Sequence, residues 1–333
     1  PSSRVGESPE QTKARRLAES QRLMQRSQPV STQEELDAFL SEAGDKLVFL
    51  SIESTEECDL GDNPDAWTVQ RSVTDDPMAP CLQMKDTLMR VVRECDDAVF
   101  LTLTVTEGHS KEWDLARELG VTRFPTFQYY MSNELVWEHI GAGSQAGEAI
   151  GQGMLYYAGQ AAGGTHADEY ITQIKDRAAF QEFLELCAMP QTNQFGADID
   201  VPCDKQLAVL DVSFLKDSPG CVHIYPAVLA LAKNTAGACR WARLAGDSGA
   251  ESSALMKQLN VTEVPTFLFF NGNREVGRYS GTDRYALMNT VIAIQKEEGI
   301  KLPDRKPRKR IPIAEAKRIA EARRAKDRAN QWH

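Results

Sequence analysis

Cys81 and Cys221 lie 140 residues apart, and the same shift separates Val121-Thr122-Arg123-Phe124-Pro125-Thr126-Phe127 from Val261-Thr262-Glu263-Val264-Pro265-Thr266-Phe267. A cysteine acts as a nucleophile, metal ligand or disulfide partner through its thiolate. Thiol–disulfide exchange needs a second thiol to resolve the mixed disulfide. The tetrapeptides that end on the repeated cysteines read Met78-Ala79-Pro80-Cys81 and Ser218-Pro219-Gly220-Cys221, so each holds one thiol. The chain has seven cysteines: Cys58, Cys81, Cys95, Cys187, Cys203, Cys221 and Cys239. No pair has Cys-x-x-Cys spacing and no His cluster has ligand spacing, which argues against zinc, and no cofactor is expected. Cys58 and Cys203 precede the two motif segments and are the cysteines able to swing toward Cys81 or Cys221. Cys95, Cys187 and Cys239 sit among apolar residues and read as packing thiols. An odd number of cysteines suits a reducing compartment better than a secreted disulfide scaffold.

The elements that must position these residues repeat in the same register without a gap. Leu115 pairs with Leu255, Leu119 with Leu259, Gly120 with Asn260, Tyr129-Tyr130 with Phe269-Phe270, Val136 with Val276 and Gly141 with Gly281. Two copies of one domain are therefore expected. Each copy reads as a helix that ends on a residue tolerant of positive φ, then a turn into proline, then an apolar strand such as Thr266 to Phe270. The turn Asn271-Gly272-Asn273 predicts a hairpin into a strand from Glu275 to Tyr279.

In this order of elements, with Val-Pro-Thr-Phe before the hairpin, the chain resembles the thioredoxin family. That family's motif helix opens with Cys-Gly-Pro-Cys, and a cis-proline faces the sulfurs. The resemblance implies that Pro125 and Pro265 are those prolines, that Gly141 and Gly281 follow the hairpins, and that Pro226 kinks the first long helix. It covers roughly three quarters of the chain. The wording of the second half, Val209-Leu210-Asp211-Val212 and Gly220-Cys221-Val222-His223-Ile224-Tyr225-Pro226, is similar to the two-thioredoxin-domain, drought-induced stress proteins of the chloroplast stroma. The fold expected is α/β: two tandem thioredoxin folds, each a central mixed sheet flanked by helices, with an N-terminal extension and a basic helical C-terminal tail.

Measured against the family, Cys81 and Cys221 hold the resolving position, and Met78 and Ser218 stand where the attacking thiol belongs. A buried acid assists the resolving cysteine in the family. Asp211 is the candidate, but it lies seven residues before Ser218, one more than the family spacing, and one step along a strand reverses a side chain. The strand Leu47 to Ile52 offers no acid over Leu47 to Leu50. The residues beside the cis-prolines, Phe124, Pro125, Val264 and Pro265, can still pair with an extended peptide through their backbone.

Composition bounds the rest. The chain has 333 residues, 42% of them hydrophobic, enough for two cores. No apolar run approaches the length of a membrane span, so no transmembrane segment is expected. A start at Pro1 without Met suggests a removed targeting peptide, which the resemblance makes a chloroplast transit peptide. Residues 301–333 carry twelve Lys or Arg against four Asp or Glu, a net of +8 in a chain of −10, so residues 1–300 carry −18. The division expected is a polar extension over 1–28 with a helix from Pro9 to Arg26, a first domain over 29–163 with an acidic insertion over 53–80, a boundary near Gly163-Gly164, a second domain over 164–300, and the basic tail. The insertion would lie over the face where thioredoxins bind substrate and cap Cys81. Its acids lack EF-hand spacing, so no metal is assigned.

Two function classes stay open. One is a redox-inactive or monothiol protein that serves as a structural, assembly or binding subunit of a larger plastid complex, with protein partners. For the tail, acidic surfaces or RNA phosphates are the candidate partners. The other is a thiol–disulfide oxidoreductase in which Cys221 works as a monothiol toward glutathionylated or peroxiredoxin-type stromal targets, with Cys81 as a second candidate.

Overall fold

The computed structural model describes residues 26–55, 57–59, 79–106, 110–143, 145–161, 165–188 and 206–300. Met78, Cys203, Gly163-Gly164, the helix expected before Arg26, the basic tail and most of the acidic segment lie outside them.

Two five-stranded mixed sheets carry the chain. The first is built from β1 (Ser27–Pro29), β2 (Val48–Ser54), β3 (Val99–Val105), β4 (Thr126–Met131) and β5 (Glu134–Ile140), in the order β1-β3-β2-β4-β5. The second uses β8 (Ile171–Ile174), β9 (Leu207–Ser213), β10 (Cys239–Ala245), β11 (Thr266–Asn271) and β12 (Arg274–Ser280), in the mirrored listing β12-β11-β9-β10-β8. Between them, β6 (Gln160–Ala161) and β7 (Thr165–His166) form a small hairpin. In each sheet three strands are parallel and the closing hairpin is antiparallel, with a register shift at Tyr129/Tyr130 and again at Phe269/Phe270. With helices on both faces, this is the thioredoxin-like α/β fold twice over.

The helices are α1 (Gln33–Ala43), α2 (Ala79–Glu94), α3 (Lys111–Glu118), α4 (Ala146–Ala158), α5 (Arg177–Ala188), α6 (Pro219–Asn234), α7 (Ala250–Gln258) and α8 (Arg284–Glu297). Their ends follow local chemistry. Thr32 and Ser110 accept from the backbone N–H groups of Glu35 and Trp113, and Asp283 accepts from Tyr285 and Ala286. Gly120 and Asn260 take φ of 74° and 52° just after α3 and α7, as the positive-φ reading expected. Pro226 lies inside α6.

One expectation is corrected. Ser27 and Gln28, assigned to the polar extension over 1–28, belong to β1 and pair with Phe100 and Leu101. Three mostly polar residues at a sheet edge carry no period-two pattern to announce a strand.

Core strands such as β9 are buried on both faces from Leu207 to Ser213, as expected of central strands with helices above and below. Each fully buried Leu, Ile, Val or Phe contributes roughly 1.5–3 kcal/mol by leaving water. The two sheets also share a core. One cluster joins Phe49, Phe127 and Tyr129 of the first sheet to Tyr156 of α4, Tyr225 of α6 and Trp241 of the second sheet. Helix α4 reaches both because Gly153 lets it lie close on β5. A Cβ there would sit 2.3 Å from Trp137 and 2.9 Å from Tyr129, both ring atoms of packed aromatics. Gly153→Ala should therefore destabilise the fold by about 1–3 kcal/mol despite Ala's higher helix propensity. Chemical denaturation reads the effect, and an unchanged or raised midpoint would contradict this packing.

Candidate functional site

In the second copy, Ser218 precedes α6 and its hydroxyl donates to Cys221 Sγ at 2.8 Å. Gly220 lies between them, close to the cis peptide bond Val264–Pro265: a Cβ on Gly220 would be 3.7 Å from Cδ of Pro265. The motif turn and the proline thus face each other. Cys221 is 1% exposed. Burial pushes its thiol pKa up, against a smaller pull from the Ser218 hydrogen bond. A protonated, enclosed thiol is a poor nucleophile.

What encloses this region comes from the first half of the chain. Tyr156 and Tyr157 of α4 donate to the carbonyls of Phe214 and Leu215, 2.6 and 2.9 Å away, in the connection before α6. Beneath them lies Arg243, itself 4% exposed. Its guanidinium stacks 3.7 Å from the Tyr156 ring centroid and 5.0 Å from that of Tyr225. It donates to the Tyr156 carbonyl at 2.9 Å and to Ser213 Oγ at 3.0 Å.

Asp211 settles on this same inner face, opposite Arg243 in the β9–β10 register. In the connection between β9 and α6, Asp217 adopts φ 48°. Burial pushes the Asp211 carboxyl up to about 7, outweighing the opposing pull of Arg243.

The first copy is arranged differently. Ser51 pairs with Phe127 as Asp211 pairs with Phe267, so Ser51 occupies the acid's place and Thr102 that of Arg243. A cavity of about 460 Å³, lined by Phe49, Ser51, Leu88 and Thr102 among others, lies where the second copy packs its charged pair.

Cys81, in the first turn of α2, is joined to Cys58 by a disulfide. Of the two cysteines read as able to swing toward a motif helix, Cys58 is bonded to Cys81, and Cys203 lies outside the described residues. The residue after it pairs with the proline segment. Asp59 N–H donates to the Phe124 carbonyl at 2.6 Å, and the Asp59 carbonyl accepts from Ala142 N–H at 2.7 Å. The Asp59 carboxylate forms an ion pair with the Arg123 guanidinium, using both of its oxygens. The Phe124–Pro125 bond is cis, and the Pro125 carbonyl accepts from Gly141 N–H at 2.7 Å. In the second copy the Pro265 carbonyl likewise accepts from Gly281, at 3.0 Å, but Glu263 replaces Arg123. Among the described residues, the Val264 carbonyl takes no bond like that of Phe124.

Cys95, Cys187 and Cys239 are buried and take part in no disulfide. Burial pushes Cys95 up to about 11 and Cys187 up to about 12. The sequence reading missed Arg243, Tyr156 and Tyr157 as neighbours of the motif. Their only signal was a basic residue on an apolar strand and a Tyr-Tyr pair on a short helix. Among the described residues no cluster of three His, Cys, Asp or Glu is placed to hold a metal, and no helix is long and apolar enough to cross a membrane.

No protein-family model matches the chain. It is similar to the thioredoxin-like protein CDSP32, chloroplastic, of Arabidopsis thaliana, at 29% identity over 205 residues, 62% of this chain and 59% of that one. The chain thus spans about three fifths of that relative's length. A thioredoxin of Ophiophagus hannah is 29% identical over 111 residues, 33% of this chain and 82% of its own length. Among solved structures, thioredoxin O2 of Arabidopsis thaliana in the oxidised state covers 41% of this chain and 100% of itself at 21% identity and TM-score 0.30.

The Asp211 shift fixes a pH dependence. A carboxyl near 3.9 when unfolded and raised when folded binds its proton more tightly in the native state. Its contribution is full below about pH 4 and is lost as pH rises through about 7. From about pH 5 to 8 the native chain should lose on the order of 2–3 kcal/mol more stability than Asp211→Asn. Parallel denaturation curves at both pH values would refute the shift.

Proposed function

We propose that this chain is a tandem thioredoxin-like binding subunit, redox-inactive at its second motif helix, that works in the chloroplast stroma within a larger protein assembly. The observation that carries the reading is the pairing of Ser218 with Cys221. The only thiol of that motif is spent as a hydrogen-bond acceptor, 1% exposed and roofed by α4. Ser218 cannot form a disulfide, so the exchange reaction has no attacking sulfur there.

What the second copy offers instead is a backbone edge at Val264 and Pro265. Main-chain hydrogen bonds to an extended segment need no sulfur, and flanking side chains add selectivity. Similarity to a protein named chloroplastic supports the compartment. The +8 charge of residues 301–333, set against −18 in the rest of the chain, supports a tail that docks on an acidic partner.

An insulin-reduction assay separates this reading from a monothiol reductase. The full chain and Cys221→Ser should turn over equally, and any turnover lost in Cys221→Ser would replace the binding role with catalysis. Affinity purification from intact chloroplasts, full chain against a truncation after Pro303, tests the tail. The truncated chain should lose partners, and an identical partner list would remove the tail from the assembly role.

A further inference from the structure

The inner face of the first sheet forms a pocket wall with three chemically distinct layers. In the β2–β3 register Phe49 lies beside Phe100, Ser51 beside Thr102 and Glu53 beside Thr104. Side chains two residues apart share a face of a strand and stand about 7 Å apart, so the three pairs follow one another along one wall. Phe49 and Phe100 are buried and Thr104 is exposed, so the layers run from an apolar floor to a polar mouth. All six residues line the cavity of about 460 Å³, together with Leu88 and Val92 of α2. Mostly apolar walls with a few placed polar groups, at this volume, are what small-molecule sites use.

The second copy shows what belongs in this space. By strand register, Ser213 stands there at the position of Glu53, and Arg243 at that of Thr102. The Arg243 guanidinium fills the face and donates to Ser213 Oγ at 3.0 Å. The first copy has a carboxylate in place of that acceptor and a threonine in place of that cation. Ser51 donates to the Glu53 carboxylate at 3.0 Å and orients it along the wall. Glu112 of α3 brings a second carboxylate to the lining. Hydrogen bonds from its own backbone N–H, Ser110 and Ser31 hold the Glu112 carboxyl below the ordinary carboxylate range. No Lys or Arg is among the described residues that line the cavity. Arg26 lies over the Phe100 ring, 5.9 Å from its centroid, but its guanidinium donates to the Val92 and Cys95 carbonyls at the end of α2. Two carboxylates set in low-dielectric walls attract a cation and repel an anion.

We propose that the cavity on the inner face of the first sheet binds a small organic cation, a guanidinium or ammonium head carried on an aromatic or aliphatic body. The body lies against Phe49, Phe100, Leu88 and Val92, and the head donates to Glu53 beside the hydroxyls of Ser51 and Thr102. A ligand thereby supplies the first copy with the cation that the second copy supplies from its own chain. A neutral head of the same shape keeps the apolar contact and gives up the charge-assisted hydrogen bond. The site lies under the C-terminal half of α2 and uses neither Cys81 nor the proline segment, so it is independent of the sulfur chemistry of both copies.

Isothermal titration calorimetry on the full chain compares phenethylguanidine with phenethylurea, which has the same shape and no charge. The guanidine should bind about tenfold more tightly. Backbone amide signals of Ser51 and Thr102 should shift in NMR spectra as it is added. Glu53→Gln keeps the shape of the wall and should cut the preference for the guanidine to about twofold. Thr102→Arg installs the second copy's cation and should abolish guanidine binding. Equal affinity for the guanidine and the urea in the wild-type chain would overturn the cation site without recourse to any variant. Absence of binding by either probe, guanidine binding undiminished in Thr102→Arg, or shifts confined to residues outside the cavity would overturn the pocket itself.

Discussion

A guanidinium shut away from water must be compensated by whatever packs on it, and Arg243 is compensated from both halves of the chain. Tyr156 supplies a ring face and a carbonyl from α4, while Tyr225 and Ser213 supply a second ring and a hydroxyl from the second copy's helix and sheet. Taking away one partner of a buried charge costs about 3–5 kcal/mol, because the charge remains. Helix α4 therefore cannot leave the second copy without exposing or stranding Arg243. The same helix closes the first sheet through Gly153 against Trp137 and Tyr129. One element thus sets the packing of both copies, and the enclosure of Cys221 follows from it.

The duplicated fold has diverged where charge is concerned. At the inner face, Asp211 and Arg243 of the second copy correspond to Ser51 and Thr102 of the first. A hydroxyl pair needs no compensating roof, and the first copy keeps a cavity there. At the proline segment the divergence runs the other way, with Arg123 in the first copy and Glu263 in the second. The cation holds Asp59 against the Phe124 edge. An acid at that position would repel a carboxylate, so the two edges differ in charge.

Much of this was legible in the chain itself. The gapless shift, the strand ending in Asn271-Gly272-Asn273 and the positive-φ residues Gly120 and Asn260 depend on local periodicity and turn chemistry, which sequence carries directly. The face of Asp211 was not legible, because counting residues cannot tell whether an extra one bends a loop or shifts a strand. The β9–β10 register places Asp211 opposite Arg243. The partner of Cys81 stayed open between cysteines, since what selects Cys58 is the clasp of its neighbour by Arg123, 64 residues away. The docking of Tyr156 and Tyr157 is a long-range packing event, and a tyrosine pair on a helix looks the same whether it closes one core or two.

The two thiols of the repeated position are restrained by different physics, and the difference decides which can respond to its surroundings. Cys221 is restrained by burial: desolvation holds its proton in place, and exposing it requires α4 to lift from Arg243, at a cost set by the whole contact between the halves. Cys81 is restrained by a covalent bond to Cys58, which a dithiol can open by exchange. Where dithiols and disulfides fluctuate, the second restraint changes with the medium and the first does not. The first copy, with Ser51 and Thr102 at its inner face, is the one whose motif thiol is held by a bond and not by burial alone.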